Sequence, residues 1–424
     1  MILDELNNKQ REAAERTEGA LVVLAGAGSG KTKTLTARAA NIIESLDVWP
    51  GNMLCITFTN KAAREMKERI HKAVGTGAQS MWIHTFHGMC ARILRAHGDA
   101  LGYTRDFTIY DTADSLRLIK RCLKDLDMDE KFFQPRTMLD MISKAKNHYA
   151  DPRDYFNESP DFLRRKSYDV FRLYEKEQRE ANAMDFDNLL LKTIDLLEKH
   201  EDVLSYYANK FQYVMVDEYQ DTNPAQYRLI RLLCSAHGNI CVVGDDDQSI
   251  YGWRGADIRN ILEFEQDFPG AVTIRLEQNY RSYGHILNAA NSVIAHNVQR
   301  KGKNLFTTRG DGYPVMVYRA ATEKGEADYV IGQIDDLSAE YRYEDMAVLY
   351  RINSQSRAVE EALMRSGIPY KVYGGMKFYD RREVKDIVAL LRFLQNPRDD
   401  LSLYAIINVP KRGIGDAAIA ALSE

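Results

Sequence analysis

Cysteine is scarce in this sequence. Five residues in 424, at positions 55, 90, 122, 234 and 241, sit singly and mostly inside apolar runs. None forms a CxxC pair or has a histidine at metal-ligand spacing. That excludes a disulfide scaffold and a thiolate zinc centre, and points to buried, reduced thiols in a cytosolic protein. Long hydrophobic runs are missing too: nothing approaches the ~18 residues of a membrane span. The acidic, amphipathic opening MILDELNNKQREAAE has the character of neither a signal peptide nor a transit peptide. An excess of positive charge is absent as well. The formal net charge is −4, so composition argues against a protein that coats nucleic acid by bulk electrostatics, and any such site must be a local groove. No internal repeat or low-complexity stretch stands out.

What is present is a set of apolar, β-branched runs that stop abruptly at polar loops. They are ALVVLAG (20–26), MLCITFT (53–59), YVMVDE (213–218), NICVVGD (239–245) and AVTIRLE (271–277). None alternates clearly, as expected of strands buried on both faces, and helical stretches separate them. The expected fold class is therefore α/β with a parallel sheet. Ligands of such sheets bind at the carboxyl ends of the strands, so the residues just after these runs are the candidates.

Between 108 and 190 long charged helical patterns take over, such as DTADSLRLIKRCLKDL with Asp111 as its expected N-cap. A helical domain inserted into the first α/β domain is expected there. The first domain then comprises 1–107 and 191–279. A second α/β domain is expected over 280–384, with PVMVYRA, DMAVLYR and PYKVYGG as strands, and residues 385–424 open a further domain. With 45% hydrophobic residues in 424, more than one core can be buried.

AGAGSGKT (25–32) fits a phosphate-binding loop, with Ala25 in place of the usual first glycine. It follows a strand and opens a helix, as the mechanism requires. Backbone N–H groups of Gly28 to Thr32 would cradle phosphates at the helix N-terminus. Lys31 would reach the β- and γ-phosphates, and the Thr32 hydroxyl would ligate Mg²⁺. The nucleotide-binding candidates of this loop are Ala25, Gly26, Ala27, Gly28, Ser29, Gly30, Lys31, Thr32 and Lys33. An ordinary glycine-rich turn is the plainer alternative. In YVMVDEYQDTN (213–223), Asp217 would hold Mg²⁺ opposite Thr32, and Glu218 would orient and deprotonate the attacking water. A surface acidic pair at a strand end is the alternative.

GDDDQSIYGWRGA (244–256) places Gln248 at a strand end, where it can neighbour a γ-phosphate. Tyr251, Trp253 and Arg254 follow within a few residues, and aromatic rings can stack on nucleic-acid bases of any sequence. A tryptophan capping a local apolar patch is the alternative. TFTNKAAREM (57–66) adds Phe58 and Asn60, and HTFHGMC (84–90) adds Phe86 and His87, both at further strand ends. LEQNYRS (276–282) supplies Arg281, which could stabilise charge on a transferring phosphoryl group, and Tyr280, which could stack on the nucleotide base. A surface ion pair is the alternative for Arg281.

These blocks, with LNNKQREA (6–13), MDFDNLL (184–190) and AVLYRINSQSR (347–357), occur in an order that resembles the UvrD/Rep/PcrA family of superfamily 1 DNA helicases. The resemblance implies a RecA-like, phosphate-loop sheet with an inserted helical domain and a second RecA-like domain. It implies an ATP- and Mg²⁺-dependent 3′–5′ helicase or translocase on single-stranded DNA and its junctions with duplex. A monomer in the bacterial cytosol, working in repair or replication with protein partners from those processes, follows from the same likeness. Gln10 would read the adenine edge and Tyr280 would stack on it, while Gln248 and Arg281 would face the γ-phosphate. Phe58, Asn60, His87, Phe186, Tyr251, Trp253 and Arg254 would line the DNA path, with Arg351 and Asn353 holding it from the second domain. Gly413–Ile414–Gly415 could present backbone N–H groups to a duplex phosphate, or form a plain turn between helices.

The sequence departs from the family in two places. Gly88 stands where TFHG-type blocks usually carry serine. The later GLEF-type and arginine-bearing blocks do not occur, so the second RecA-like domain is expected to be incomplete and the chain to be an N-terminal fragment. Two functions are therefore weighed: an ATP-driven helicase, and a nucleotide- and DNA-binding module that does not unwind. DNA-stimulated ATP turnover discriminates between them. A phosphate-loop ATPase of the ABC or recombinase kind is disfavoured, because no LSGG-like block occurs.

Overall fold

The computed structural model describes residues 2–149, 151–157, 161–373, 381–415 and 418. By packing, the chain divides into two compact units, Met1–Tyr313 with Val388–Glu424, and Pro314–Ile387.

The first unit is built on a six-stranded sheet. Its strands are β1 (Leu21–Ala25), β2 (Met53–Thr57), β3 (Trp82–Thr85), β6 (Tyr213–Val216), β7 (Ile240–Gly244) and β8 (Val272–Leu276). The order is β3-β2-β6-β7-β1-β8, and every pairing is parallel. All five expected runs are strands. They read as continuous apolar stretches because alternate residues enter two different cores: Val22, Leu24, Ile56 and Val242 on one face, Leu21, Val23, Cys55 and Val243 on the other. β3 escapes a run-based reading because it has only four residues and ends in His84 and Thr85. Since all six strands point the same way, the loops after them open on one edge. All five cysteines are buried and unpaired, and burial pushes Cys55, Cys90, Cys122 and Cys234 up to about 12.

Helices α1 (Asn8–Glu15), α2 (Lys31–Leu46), α3 (Asn60–Val74) and α4 (Phe86–His97) surround the first half of this sheet. The insert follows. It contains the short parallel pair β4 (Thr108–Tyr110) and β5 (Ala183–Asp185) around α5 (Thr112–Asp125), α6 (Pro135–Asn147), α7 (Pro152–Asn157) and α8 (Phe162–Glu180). Asp111 caps α5 as expected, accepting from the Ala113 and Asp114 amides. Its core, including Leu118, Ile142, Val170 and Tyr174, also takes in Leu401. Asn396 donates to Thr108 Oγ1 and to the Ala181 carbonyl, and Tyr110 donates to Asp399. Residues 392–402 thus pack on the insert. α9 (Phe186–Lys199) leads back to the sheet.

The first unit runs on through Tyr313, past the boundary expected at 280, because 279–306 is bonded to the sheet edge. The Asn279 amide donates to the Phe306 carbonyl, and the Phe306 amide to the Glu277 carbonyl.

In the second unit, helices Glu323–Leu337 and Ser356–Arg365 pack through Ala327, Ile331, Ala362 and Leu363. The expected strands at 314–320, 345–351 and 369–375 are a correction: no strand forms among the described residues 314–373, and residues 374 and 375 lie outside them. A β-branched run becomes a strand only when a neighbour takes up its N–H and C=O groups. Val317 and Leu349, more than nine-tenths exposed, have no such neighbour among the described residues of this unit.

Candidate nucleotide and nucleic-acid site

The turn between β1 and α2 has the backbone its glycines demand. Gly28 and Gly30 both lie at positive φ, +70° and +88°, where a side chain would be strained. Gly28 is also pressed from the far side: a Cβ there would lie 2.6 Å from Asn279 Nδ2. Asn279 donates to the Ala27 carbonyl at 2.6 Å, and the Tyr280 amide donates to the Gly28 carbonyl at 2.9 Å. The LEQNYRS segment therefore forms one wall of the loop. Arg281 is exposed on that wall, its backbone amide held by Asn279 Oδ1 at 2.9 Å. Asn7 donates to the Tyr280 hydroxyl at 2.7 Å.

Gln10 is buried beside them, with both ends of its amide engaged. It donates to the Ser29 carbonyl at 2.8 Å and accepts from the Asn7 amide at 3.1 Å, closing a capping box on α1. Lys33, a loop candidate, turns its side chain away to the Glu5 carbonyl at 2.8 Å. Only its backbone is left to face the loop.

Lys31 Nζ donates to Glu218 Oε2 at 2.8 Å. Asp217 is buried at the end of β6, and its carboxyl is pushed up to about 6, first by burial and then by Glu218, with Lys31 opposing. A buried carboxylate at the end of β6 and a hydroxyl in the first turn of α2 are oxygen donors of the kind a hard divalent cation takes. Glu218 sits in the left-handed region at φ +51°, uncommon for a residue with a side chain. Gln220 Nε2 donates to Glu218 Oε2 at 3.0 Å, while Gln220 Oε1 accepts from the Asp245 amide at 3.0 Å. Gln248 donates to Asp245 Oδ2. One glutamine thus joins the acidic end of β6 to the acidic end of β7.

The aromatic candidates assemble at the same edge. Phe58, after β2, stacks on Tyr251, after β7, with centroids 6.2 Å apart and planes 14° from parallel. Tyr251 lies 6.3 Å from Trp253, and the Arg254 guanidinium lies over both rings at 5.0 and 4.6 Å. Trp253 is 67% exposed, so it caps no apolar patch. His87, at the start of α4, meets Phe186, at the start of α9, edge to face at 5.5 Å. Burial holds His87 below the usual histidine range, against the opposing pull of Asp185. Asn60 is exposed at the first turn of α3, whereas Phe86 is buried in the core.

The family model of the UvrD/REP helicase N-terminal domain matches residues 6–269, and that of the UvrD-like helicase C-terminal domain matches 274–424. The chain belongs to the UvrD/REP helicase family. It is 52% identical over 419 residues to the ATP-dependent DNA helicase PcrA of Staphylococcus aureus strain NCTC 8325 / PS 47, covering 99% of this chain and 57% of that protein. It is 51% identical over 419 residues to the PcrA of Staphylococcus epidermidis strain ATCC 12228 / FDA PCI 1200, covering 99% and 58%. The chain thus spans a little over half the length of the relatives it matches.

Against this family frame, the first unit brings together Gln10, Lys31, Thr32, Asp217, Glu218, Gln248, Tyr280 and Arg281 along one sheet edge, with the aromatic groups beside them. Arg351 and Asn353 belong to the second unit. There the Arg351 amide donates to Gln355 Oε1 at 2.9 Å, and Asn353 opens a short 3-10 turn. The Ile414 amide donates to Asn408 Oδ1 at 3.2 Å, beside Gly413 at φ +71°.

Sequence reasoning missed Lys303. Its buried ammonium lies 2.6 Å from Asp245 and 2.8 Å from Asp247, and also pairs with Asp246, while Arg300 reaches Asp247 at 2.9 Å. The Asp245–Asp247 carboxylates are close enough to hold a metal ion, but a protein cation fills that place. A lone lysine after a helix carries no signal in the sequence. The three adjacent acids, which must be neutralised once buried, were the available hint.

Proposed function

We propose that this chain carries the motor of an ATP-dependent 3′–5′ DNA helicase that moves along single-stranded DNA, working in DNA repair or replication. The observation that carries this is the double hydrogen bond of Gln220, which ties Glu218 to the strand end bearing Gln248, Tyr251 and Trp253. Family membership and the PcrA relatives support the same function, and the direction of travel follows the family.

In this mechanism the α2 N-terminus and Lys31 bind the β- and γ-phosphates. A γ-phosphate competes for Lys31 and releases Glu218, which is then free to accept a proton from the attacking water. Thr32 and Asp217 would hold Mg²⁺, which neutralises phosphate charge when bound. Arg281 and Gln248 sense the γ-phosphate, and Tyr280 stacks on the base. Gln10 would read the adenine edge with the second N–H and the second oxygen lone pair that its bonds to Ser29 and Asn7 leave over. The Phe58, Tyr251, Trp253 and Arg254 cluster, with His87, Phe186 and Asn60, grips the strand. Arg351 and Asn353 act from the second unit, and the protein works as a monomer in the bacterial cytosol.

A second reading is a nucleotide- and DNA-binding module that does not unwind. The strand-like runs of the second unit, which form no ladder among its described residues, favour it. Steady-state ATP hydrolysis with and without an oligo-dT strand separates the two. Strong stimulation supports the motor. Tight binding of both ligands without turnover selects the module, and failure to bind either overturns both.

A further inference from the structure

Asn147 is the last residue of α6, in the insert, and belongs to none of the family motifs named above. Its side chain nevertheless meets three of the segments that carry them. Its Oδ1 accepts from Asn223 Nδ2 at 2.5 Å, directly after the 217–222 acidic stretch. Its Nδ2 donates to Asp187 Oδ1 at 3.2 Å, the neighbour of Phe186, and also to the Ser143 carbonyl at 2.8 Å. Its Cβ packs on Gly255 of the tryptophan loop, where any added Cβ would lie 3.3 Å away. Gly255 lies at φ +86°, so the loop passes over Asn147 in a conformation that favours glycine.

The segment that Asn147 holds is joined to both ligand regions. The Thr222 carbonyl accepts from the Asp257 amide at 2.9 Å and from Asn260 Nδ2 at 3.0 Å, which anchors the far end of the tryptophan loop. Asn223 caps the helix Pro224–Leu233. On the other side, Ser249 Oγ donates to the Gln220 carbonyl at 3.3 Å. A shift of residues 218–223, such as release of Glu218 from Lys31 would allow, is thereby presented to Trp253 through Gly255 and to Phe186 through Asp187.

We propose that Asn147 is a positioning residue that couples nucleotide occupancy to the grip of both aromatic sets on single-stranded DNA. Coupling of this kind requires an element that both sites bias, and it acts equally in both directions. The inference rests on the proposed function, since it presumes that the chain binds both ligands. The side chain has the wrong place to touch either: it acts through Asn223, Asp187 and Gly255.

The test is the affinity of a fluorescent oligo-dT for the whole chain, with and without a non-hydrolysable ATP analogue and Mg²⁺. Asn147→Asp sets a second carboxylate against Asp187 while keeping an acceptor for Asn223. It should cut the effect of nucleotide on DNA affinity by about fivefold or more, with each ligand binding alone as in the parent. Adding Asp187→Asn restores a donor–acceptor pair of reversed polarity and should recover the coupling. A merely structural Asn147 would lower both affinities together and the melting temperature with them, which overturns the proposal. Unchanged coupling in Asn147→Asp overturns it too, as does a parent that binds both ligands independently. If the parent binds neither ligand, the proposed function itself fails, and this inference falls with it.

Discussion

Lys31 and Glu218 lie 187 residues apart in the chain and 2.8 Å apart in space. The candidate phosphate-binding lysine is thus paired with the candidate catalytic base, and each holds the other in reserve. Lys31→Ala should abolish nucleotide binding or turnover. Glu218→Gln should keep nucleotide affinity and lose about 10²- to 10⁴-fold in turnover. Nucleotide binding by fluorescence and turnover by phosphate release check the two; normal turnover in Lys31→Ala would remove the loop from the mechanism.

Trp253 is held by Tyr251 and Arg254 at the sheet edge, with its ring open to solvent. Trp253→Ala should weaken oligo-dT binding by ~1–3 kcal/mol and leave nucleotide affinity unchanged. Anisotropy titration measures it. Equal DNA affinity in the variant would make the ring irrelevant to the strand.

Lys303 pairs with three carboxylates that stand together after β7, and Arg300 adds a second cation on Asp247. Lys303→Met removes the buried cation and leaves the acids facing one another, and should destabilise the first unit by about 3–5 kcal/mol. Because Asp245 also orients Gln248, turnover should fall in whatever fraction remains folded. Urea unfolding followed by tryptophan fluorescence reports the first effect; an unchanged midpoint would show that the cage is not needed.

Asp187 provides a pH test. Its carboxyl is pushed up to about 6, first by burial and then by Asp185. A raised folded-state value means that the native chain binds this proton more tightly than the unfolded one. The stabilising contribution is complete below the unfolded value and is lost as pH rises through about 6. Asp187→Asn should therefore gain in melting temperature relative to the parent at pH 8, and that gain should shrink at pH 5. A difference independent of pH would place the titrating group elsewhere.

Much of the site was legible because its chemistry is local. A loop that must turn at positive φ needs glycine at 28 and 30, and a strand buried on both faces must be apolar throughout. The acids at 217 and 218 and the aromatics after β2 and β7 could be placed from the strands they follow. Lys303 and Asn147 could not, since each matters only through partners brought up by folding. The same holds for the second unit: PVMVYRA and DMAVLYR have the composition of strands, but composition does not supply a ladder partner.

The sequence by itself determined the glycine turn at 25–32, the acidic pair, five of the six sheet strands and the family, because each depends on side chains within a few residues of one another. Only the tertiary structure decided the strand order, the filling of the Asp245–Asp247 cluster by Lys303 and the meeting of three motif segments at Asn147. These depend on burial and on ion pairs or hydrogen bonds between distant residues, 57 positions apart for Lys303 and Asp246 and 76 for Asn147 and Asn223. No local pattern encodes the partner of a buried charge; the fold selects it by excluding water around both.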